Sequence, residues 1–230
     1  MIIFIQARYS SSRLYGKVLK KILDKPLIGW MIERISKSNI NLPIAILTSI
    51  NKSDNLIQDF CESEGIKYFR GDLNNVVTRF LDAGEFFNED IFIRLCGDSP
   101  LIDPEIINQA VEISKENPTY DLVTNIQKRT FPKGQSVEIV KIESLKRLLK
   151  KGLTIEEQEH ITLGFYNRKD QFKIINFESN ADQFKKIQLS VDTKDDFESM
   201  NLIFKYFSSK DELLRASWNQ LALIYNGLAR

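Results

Sequence analysis

Three cations, three consecutive hydroxyls and one glycine fall within the twelve residues Gln6 to Lys17, Gln-Ala-Arg-Tyr-Ser-Ser-Ser-Arg-Leu-Tyr-Gly-Lys. The cations are Arg8, Arg13 and Lys17, and the hydroxyls are Ser10, Ser11 and Ser12. A polyphosphate needs a donor or a positive charge at each oxygen, and backbone amides, hydroxyls and fixed cations on a loop can supply them. The apolar run Ile2 to Ile5 just before this stretch reads as a buried strand. The stretch is then a loop leaving the carboxyl end of a strand, where open α/β sheets bind ligands. Composition alone leaves two readings open, a phosphate cradle and a solvated basic loop.

Carboxylates at neighbouring strand ends would complement such a cradle, because magnesium takes one or two carboxylates together with substrate phosphates and water. Two residues are so placed. Asp98 follows Gly97 after the apolar run Ile91 to Leu95, and Asp192 ends the run Ile187 to Val191. Each also has a plainer reading. Gly97-Asp98-Ser99-Pro100 is good turn chemistry, and Asp192 or Thr193 can cap the helix that follows. Two carboxylates ending two strands favour a metal pair more than either does alone.

Glu138 interrupts the apolar stretch Val137 to Val140, and either faces solvent by alternation or accepts from a hydroxyl of a sugar. His160 is the only histidine and lies on a predicted helix among Glu156, Glu157 and Glu159. One histidine far from both cysteines cannot build a zinc site, and a surface or structural role outweighs general-base work.

Helices and strands must hold these groups at one edge. Pro26 opens an apolar-periodic helix through Ile35, and Ile44 to Leu47 reads as a second buried strand. Ser53 is positioned to cap a helix that Gly65 stops, and Ile66 to Phe69 is a third strand. A helix over 74–87 precedes the fourth strand, Ile91 to Leu95, and Asp103-Pro104 starts another helix. This alternation predicts a mostly parallel sheet with helices on both faces, and puts the loops after the first, third and fourth strands at one edge. Further strands are expected at 120–125, 136–141, 172–177 and 187–191. Helices are expected at 145–149, 154–168, 195–207 and 211–225. One domain over residues 1–230, with an excursion at about 126–186, is the simplest organisation.

Composition excludes several classes. The 230 residues are 43% apolar and 27% charged, ordinary for a globular protein able to bury a full core. With 32 basic and 31 acidic residues the net charge is +1, so no global field favours nucleic acid or an anionic membrane. Cys61 and Cys96 are expected as free thiols, which fits a reducing, cytoplasmic setting. No apolar run approaches the ~18 residues of a membrane span, and Met1 to Ile5 is too short for a signal-peptide core. There is no Gly-x-Gly-x-x-Gly, no ATPase-type phosphate loop and no Gly-x-Ser-x-Gly elbow.

Taken together, these residues resemble the sugar-acid cytidylyltransferases. Gln-Ala-Arg-x-x-Ser-x-Arg-Leu-x-Gly-Lys at Gln6 to Lys17 is similar to their signature loop. The nearest likenesses are the spore coat polysaccharide biosynthesis protein F family and the 3-deoxy-manno-octulosonate cytidylyltransferases. Similar segments follow in order: Arg70-Gly71, Gly97 to Pro104, Asn125, Phe131-Pro132-x-Gly134-x-x-Val137-Glu138, Glu159 to Thr162 and Val191-Asp192-Thr193.

The resemblance implies a nucleotide-diphospho-sugar transferase fold, a three-layer α/β sandwich, and transfer of CMP from CTP to an acidic sugar with release of pyrophosphate. Gln6, Ala7, Arg8, Ser12, Arg13 and Lys17 would hold the nucleotide, with Arg70 and Gly71 near its base. Arg13, Lys17 and Asp98 would serve catalysis, and Asp98 and Asp192 would hold magnesium. Asn125, Glu138 and His160 would lie on the sugar side. A homodimer is expected, with the excursion as contact surface. A glycosyltransferase of related fold, using a preformed nucleotide sugar, and a non-catalytic homologue are the rival readings. The chain departs from the signature at Tyr15, where proline is usual, and at Ser10, where glycine or alanine is common. Losing that proline should loosen the loop backbone.

Overall fold

Side-chain alternation along the first strand divides the core in two. In the computed structural model, which describes residues 1–228, Ile3 and Ile5 face one layer of helices while Ile2 and Phe4 face the other. The first half of the chain forms β1 Ile2–Gln6, a hairpin of β2 Lys21–Ile22 and β3 Lys25–Pro26, α1 Leu27–Ser36, β4 Ile44–Ser49, α2 Asn55–Glu64, β5 Lys67–Gly71, α3 Val76–Phe87, β6 Ile91–Cys96 and α4 Pro104–Glu116. The second half forms β7 Leu122–Thr124, β8 Glu138–Lys141, α5 Ile142–Leu149, α6 Ile155–Glu159, α7 Leu163–Asn167, β9 Ile174–Asn176, α8 Lys194–Tyr206, α9 Lys210–Arg215 and α10 Trp218–Leu228.

The central sheet has seven strands in the order β5-β4-β1-β6-β8-β7-β9. Only β8 runs against the others, pairing antiparallel with both β6 and β7. Helices α1, α2 and α4 cover one face through residues such as Ile28, Met31, Ile57 and Ile107. Helices α3, α5 and α7 cover the other through Val77, Phe80, Leu145 and Phe165. Each such side chain, once fully buried, contributes roughly 1.5–3 kcal/mol. The expected mostly parallel α/β sandwich is the observed architecture. No helix is long and apolar enough to cross a membrane among the described residues, and Cys61 and Cys96 are both free.

Three expected elements differ. Ile187 to Val191 is not a strand of the sheet. It runs extended beside a loop, fixed by Lys133 N to Ile187 O at 2.9 Å, Leu189 N to Lys133 O at 2.8 Å and Val191 N to Asp98 O at 2.8 Å. Its neighbour turns away at Gly134, so no ladder extends beyond the single Lys133–Gln188 bridge. The apolar run reflects a third cluster instead, in which Ile187, Leu189 and Val191 pack on Trp30 and on Phe204 and Leu221 of the last helices. The helix expected over 154–168 breaks into α6 and α7 at His160, because Ile161 is drawn fully into the core. The last helix breaks at Ala216, whose carbonyl accepts from buried Arg34 at 2.8 Å, while Trp218 N donates to Asp103 Oδ2 at 2.8 Å.

Gly134 holds the extended segment in place. Its φ is +90°, and a Cβ there would lie 2.4 Å from the Leu189 carbonyl and 2.6 Å from Ser190 N. Gly134→Ala is expected to cost at least about 2 kcal/mol and to push the segment carrying Asp192 off the sheet edge. Denaturant unfolding checks this; a midpoint equal to wild type would contradict it.

Candidate active site

The loop after β1 closes on Tyr9. Tyr9 O accepts from Ser11 N at 2.9 Å and from Gly16 N at 2.8 Å. Gly16 has φ +67°, and a Cβ there would stand 2.7 Å from the Tyr9 ring. The Tyr9 amide in turn donates to Asp54 Oδ1 at 2.7 Å, and Asp54 also accepts from the Ser49 amide and hydroxyl. Fully buried Asp54 therefore ties the loop to the end of β4. Asn51, not Ser53, accepts from the backbone at the start of this turn. Tyr15 packs edge-on to Tyr9 with ring centroids 5.0 Å apart, so an aromatic contact supplies part of the rigidity expected to be lost with proline.

Within this frame Ser12, Arg8 and Arg13 are exposed, while Lys17, at the start of a 3₁₀ turn, is buried. Lys17 Nζ donates to Asp98 Oδ2 at 2.6 Å and to Asp192 Oδ1 at 2.8 Å, and Arg13 donates to the same Asp192 oxygen at 2.9 Å. Burial works against the Lys17 ammonium, but the two carboxylates outweigh it and raise its pKa. Burial likewise opposes the Asp192 anion, and Lys17 first, then Arg13 and Lys133, overcome it and hold its pKa below the usual range.

Two carboxylate oxygens that already converge on one cation suit a magnesium ion. No group of three or more His, Cys, Asp or Glu converges among the described residues. The remaining oxygens would have to come from phosphates and water, as is usual for this ion.

A second set of side chains spans the sheet beside the first. Gln6, Arg94, Glu138 and Thr124 lie on neighbouring strands and share the parity that faces α3, α5 and α7. They continue that apolar face as a polar row towards the carboxyl edge of the parallel strands. Arg94 Nε donates to Gln6 Oε1 at 3.1 Å and Arg94 Nη1 donates to Glu138 Oε2. Tyr166 of α7 donates to Glu138 Oε1 at 2.6 Å and pairs with Thr124 Oγ1 at 2.9 Å. Burial, then the Glu138 charge, pushes the Tyr166 phenol far up, so it remains a donor. Both oxygens of Glu138 are thus engaged and its side chain is 1% exposed.

The other sequence candidates are spread around this edge. Ala7 is buried at the loop entrance, and Gly71 ends β5, where a Cβ would meet the Arg79 side chain at 2.8 Å. Arg70 donates to the carbonyls of Ser49 and Asn51 and to Gln58, folded against β4 and α2. Asn125 is fully buried and spends its amide on Gln135 O and Val137 N, shaping the loop between β7 and β8. His160 is exposed at the end of α6. Its neighbour Glu159 accepts from Arg8 at 3.0 Å, which links α6 to the loop after β1.

Arg94, Tyr166 and Asp54 escaped the sequence reading. Arg94 had a usable signal: like Glu138, it is a charge inside an otherwise apolar strand, and two such charges can pair across a sheet.

The α6–α7 segment carries its own anchor. Glu157 closes a capping box with Thr154 and accepts from Arg168 at 2.6 Å and Asn167 at 3.0 Å. Arg168 first, opposed by burial and aided by Asn167, lowers its pKa to about 2. The folded value lies below the ~4.3 of an unfolded glutamate. The stabilisation is therefore complete above about pH 5 and is lost as pH falls towards 2. The melting temperature of wild type should drop through that window more steeply than that of Glu157→Gln; parallel curves would contradict it.

The chain is 29% identical over 215 residues to the spore coat polysaccharide biosynthesis protein SpsF of Bacillus subtilis, an alignment covering 89% of this chain and 86% of that one. A solved cytidylyltransferase from Leptospira borgpetersenii superposes with a TM-score of 0.91 at 30% identity, covering 99% of this chain and 94% of the other. The fold alone is shared with a CMP:2-keto-3-deoxy-manno-octonic acid synthetase solved with CTP, at a TM-score of 0.68 and 19% identity, covering 89% of this chain and 98% of that one. The family model described as cytidylyltransferase matches residues 2–229, and the chain belongs to this family of nucleotidyltransferases.

Proposed function

We propose that the protein transfers CMP from CTP to an acidic sugar of the 3-deoxy-2-ulosonic or nonulosonic class, releasing pyrophosphate, as a step towards a surface polysaccharide. The observation that carries this reading is the shared contact of Lys17 with Asp98 and Asp192 beside Arg13, at the carboxyl edge of a parallel sheet. The names of the related SpsF and of the synthetase solved with CTP support the nucleotide, the acid sugar and the pathway class.

In this reaction a sugar hydroxyl attacks the α-phosphorus in line. The bond from that phosphorus to the bridging oxygen breaks, pyrophosphate leaves, and the hydroxyl proton passes to water. Such transfer depends on positioning and charge neutralisation more than on covalent help. A magnesium ion held by Asp98 and Asp192 would supply Lewis-acid polarisation of phosphate oxygens and lower the pKa of the attacking hydroxyl. Arg8, Arg13 and Lys17 bind and orient the triphosphate, exchanging their present carboxylate partners for phosphate oxygens. The polar row from Gln6 to Tyr166 fixes the floor between the nucleotide and the acceptor. No side-chain base is required, in keeping with a single, exposed histidine.

The test is to incubate the protein and magnesium with each nucleoside triphosphate and a panel of 3-deoxy-2-ulosonic and nonulosonic acids, measuring pyrophosphate. Release with CTP and an acid sugar is the expected result. Consumption of a nucleotide sugar without pyrophosphate would point instead to a glycosyltransferase. Silence together with no thermal stabilisation by CTP would point to a non-catalytic homologue.

A further inference from the structure

Arg129 lies in the loop between β7 and β8, after β7 ends at Thr124 and before β8 starts at Glu138. The residue is half-buried. Both terminal nitrogens donate to one acceptor, Ser136 Oγ, at 3.2 and 3.3 Å, and it enters no ion pair among the described residues. Two long bonds to one hydroxyl are a weak use of a planar fork whose best partner is a carboxylate held by two parallel bonds.

The neighbouring charges make this contrast meaningful. Arg94 is matched by Glu138, Arg8 by Glu159, Arg13 by Asp192, and Lys17 by Asp98 and Asp192. Burial lowers the pKa of the Arg129 guanidinium, and the nearby Glu138 carboxylate offsets this only in part. A guanidinium does not deprotonate in proteins, so this unfavourable burial persists until an anion arrives. Groups held at such a disadvantage in a binding edge are characteristic of sites awaiting a ligand.

We infer that Arg129 binds the carboxylate of the acceptor sugar and thereby sets the preference for acidic over neutral sugars. The inference rests on the acidic-sugar reading above, and goes further by assigning the acid group to one side chain. Arg129 takes over the acceptor's carboxylate by exchanging the Ser136 hydroxyl for two carboxylate oxygens. The triphosphate is left to the loop after β1.

The experiment compares wild type, Arg129→Gln and Arg129→Lys, using CTP, magnesium, the panel acid with the highest turnover and the primary amide of that acid. In Arg129→Gln the KM for the acid should rise about ten- to a hundredfold, the loss of one bidentate charge-assisted contact. The KM for CTP should stay within about twofold, and thermal stabilisation by CTP should persist as proof of folding. The wild-type preference for acid over amide should collapse in the glutamine variant and survive in part in the lysine variant. An unchanged KM for the acid overturns the assignment, as does a rise confined to CTP, which would place Arg129 on the triphosphate. Absence of pyrophosphate with every acid in wild type overturns the underlying reaction itself, an outcome visible before any variant is made.

Discussion

Asp98→Asn should lower turnover by roughly a thousandfold or more while leaving the protein folded. Asparagine keeps the size of the side chain and one acceptor oxygen for Lys17, so the 2.6 Å contact has a neutral substitute. Asp192 keeps its own bonds to Lys17 and Arg13, and Val191 N still reaches the Asp98 backbone carbonyl. The melting temperature should therefore stay within about 3 °C of wild type, the shift of about 1 kcal/mol in a domain of this size.

What disappears is one of the two negative charges that would hold magnesium. The consequences for CTP binding have opposite signs. Without metal, removing a negative charge beside Lys17 should leave CTP binding unchanged or a few-fold tighter. With metal, the gain in CTP affinity expected for wild type should be largely lost. Calorimetric titrations with and without magnesium, set beside the pyrophosphate assay, separate the two effects. A variant that retains turnover would remove Asp98 from the metal pair.

The parts of this protein that could be read from its sequence are those in which a local pattern has one physical outcome. The run Ile2 to Ile5 is apolar at every position, as a strand buried on both faces must be, and it lies inside the sheet between β4 and β6. Asp103-Pro104 combines a capping side chain with a residue preorganised for a first turn, and caps α4 as expected. Asp98 was conspicuous because it follows a strand directly.

Tertiary contacts decided what was less legible. Ile187 to Val191 has the composition of a strand, but its apolar side chains are claimed by the C-terminal helices, and its backbone partner is a loop. The helix through His160 would have been continuous on propensity alone, and burial of Ile161 bends it. Asp54 looked like one more polar residue in a turn, and only the approach of Tyr9 from forty-five residues away gives it a purpose. Arg94 and Glu138 are separated by forty-four residues, and antiparallel β8 alone brings them face to face. Sequence reasoning that treats each charged residue singly will miss a pair of this kind, since each one alone reads as a solvent-facing position.

That pair carries the largest expected effect on stability. Glu138→Ala should destabilise the fold by about 3–5 kcal/mol, the usual consequence of removing one partner of a buried ion pair, and lower the melting temperature by roughly 10 °C. The Glu138 side chain is 1% exposed and that of Arg94 is 14% exposed, so water cannot replace the lost carboxylate. Burial acts against the Arg94 charge, and the Glu138 carboxylate holds its pKa up against it.

With Glu138 gone, Arg94 retains only Gln6 as a side-chain partner, and the Tyr166 hydroxyl retains only Thr124. Glu138→Gln separates charge from shape, since it keeps an acceptor for one donor and should recover about half of the loss. Denaturant unfolding with an unchanged slope gives the comparison. The sequence also allowed Glu138 to be a direct acceptor for a sugar hydroxyl, and the two roles predict different variants. A direct acceptor would give Glu138→Gln a raised KM for the sugar at unchanged stability. A residue that positions Arg94 and Tyr166 gives a lowered midpoint in both variants, with kcat and both KM values moving together as the floor between the two substrates loosens. A melting temperature within about 2 °C of wild type for Glu138→Ala would sink this account of the buried row.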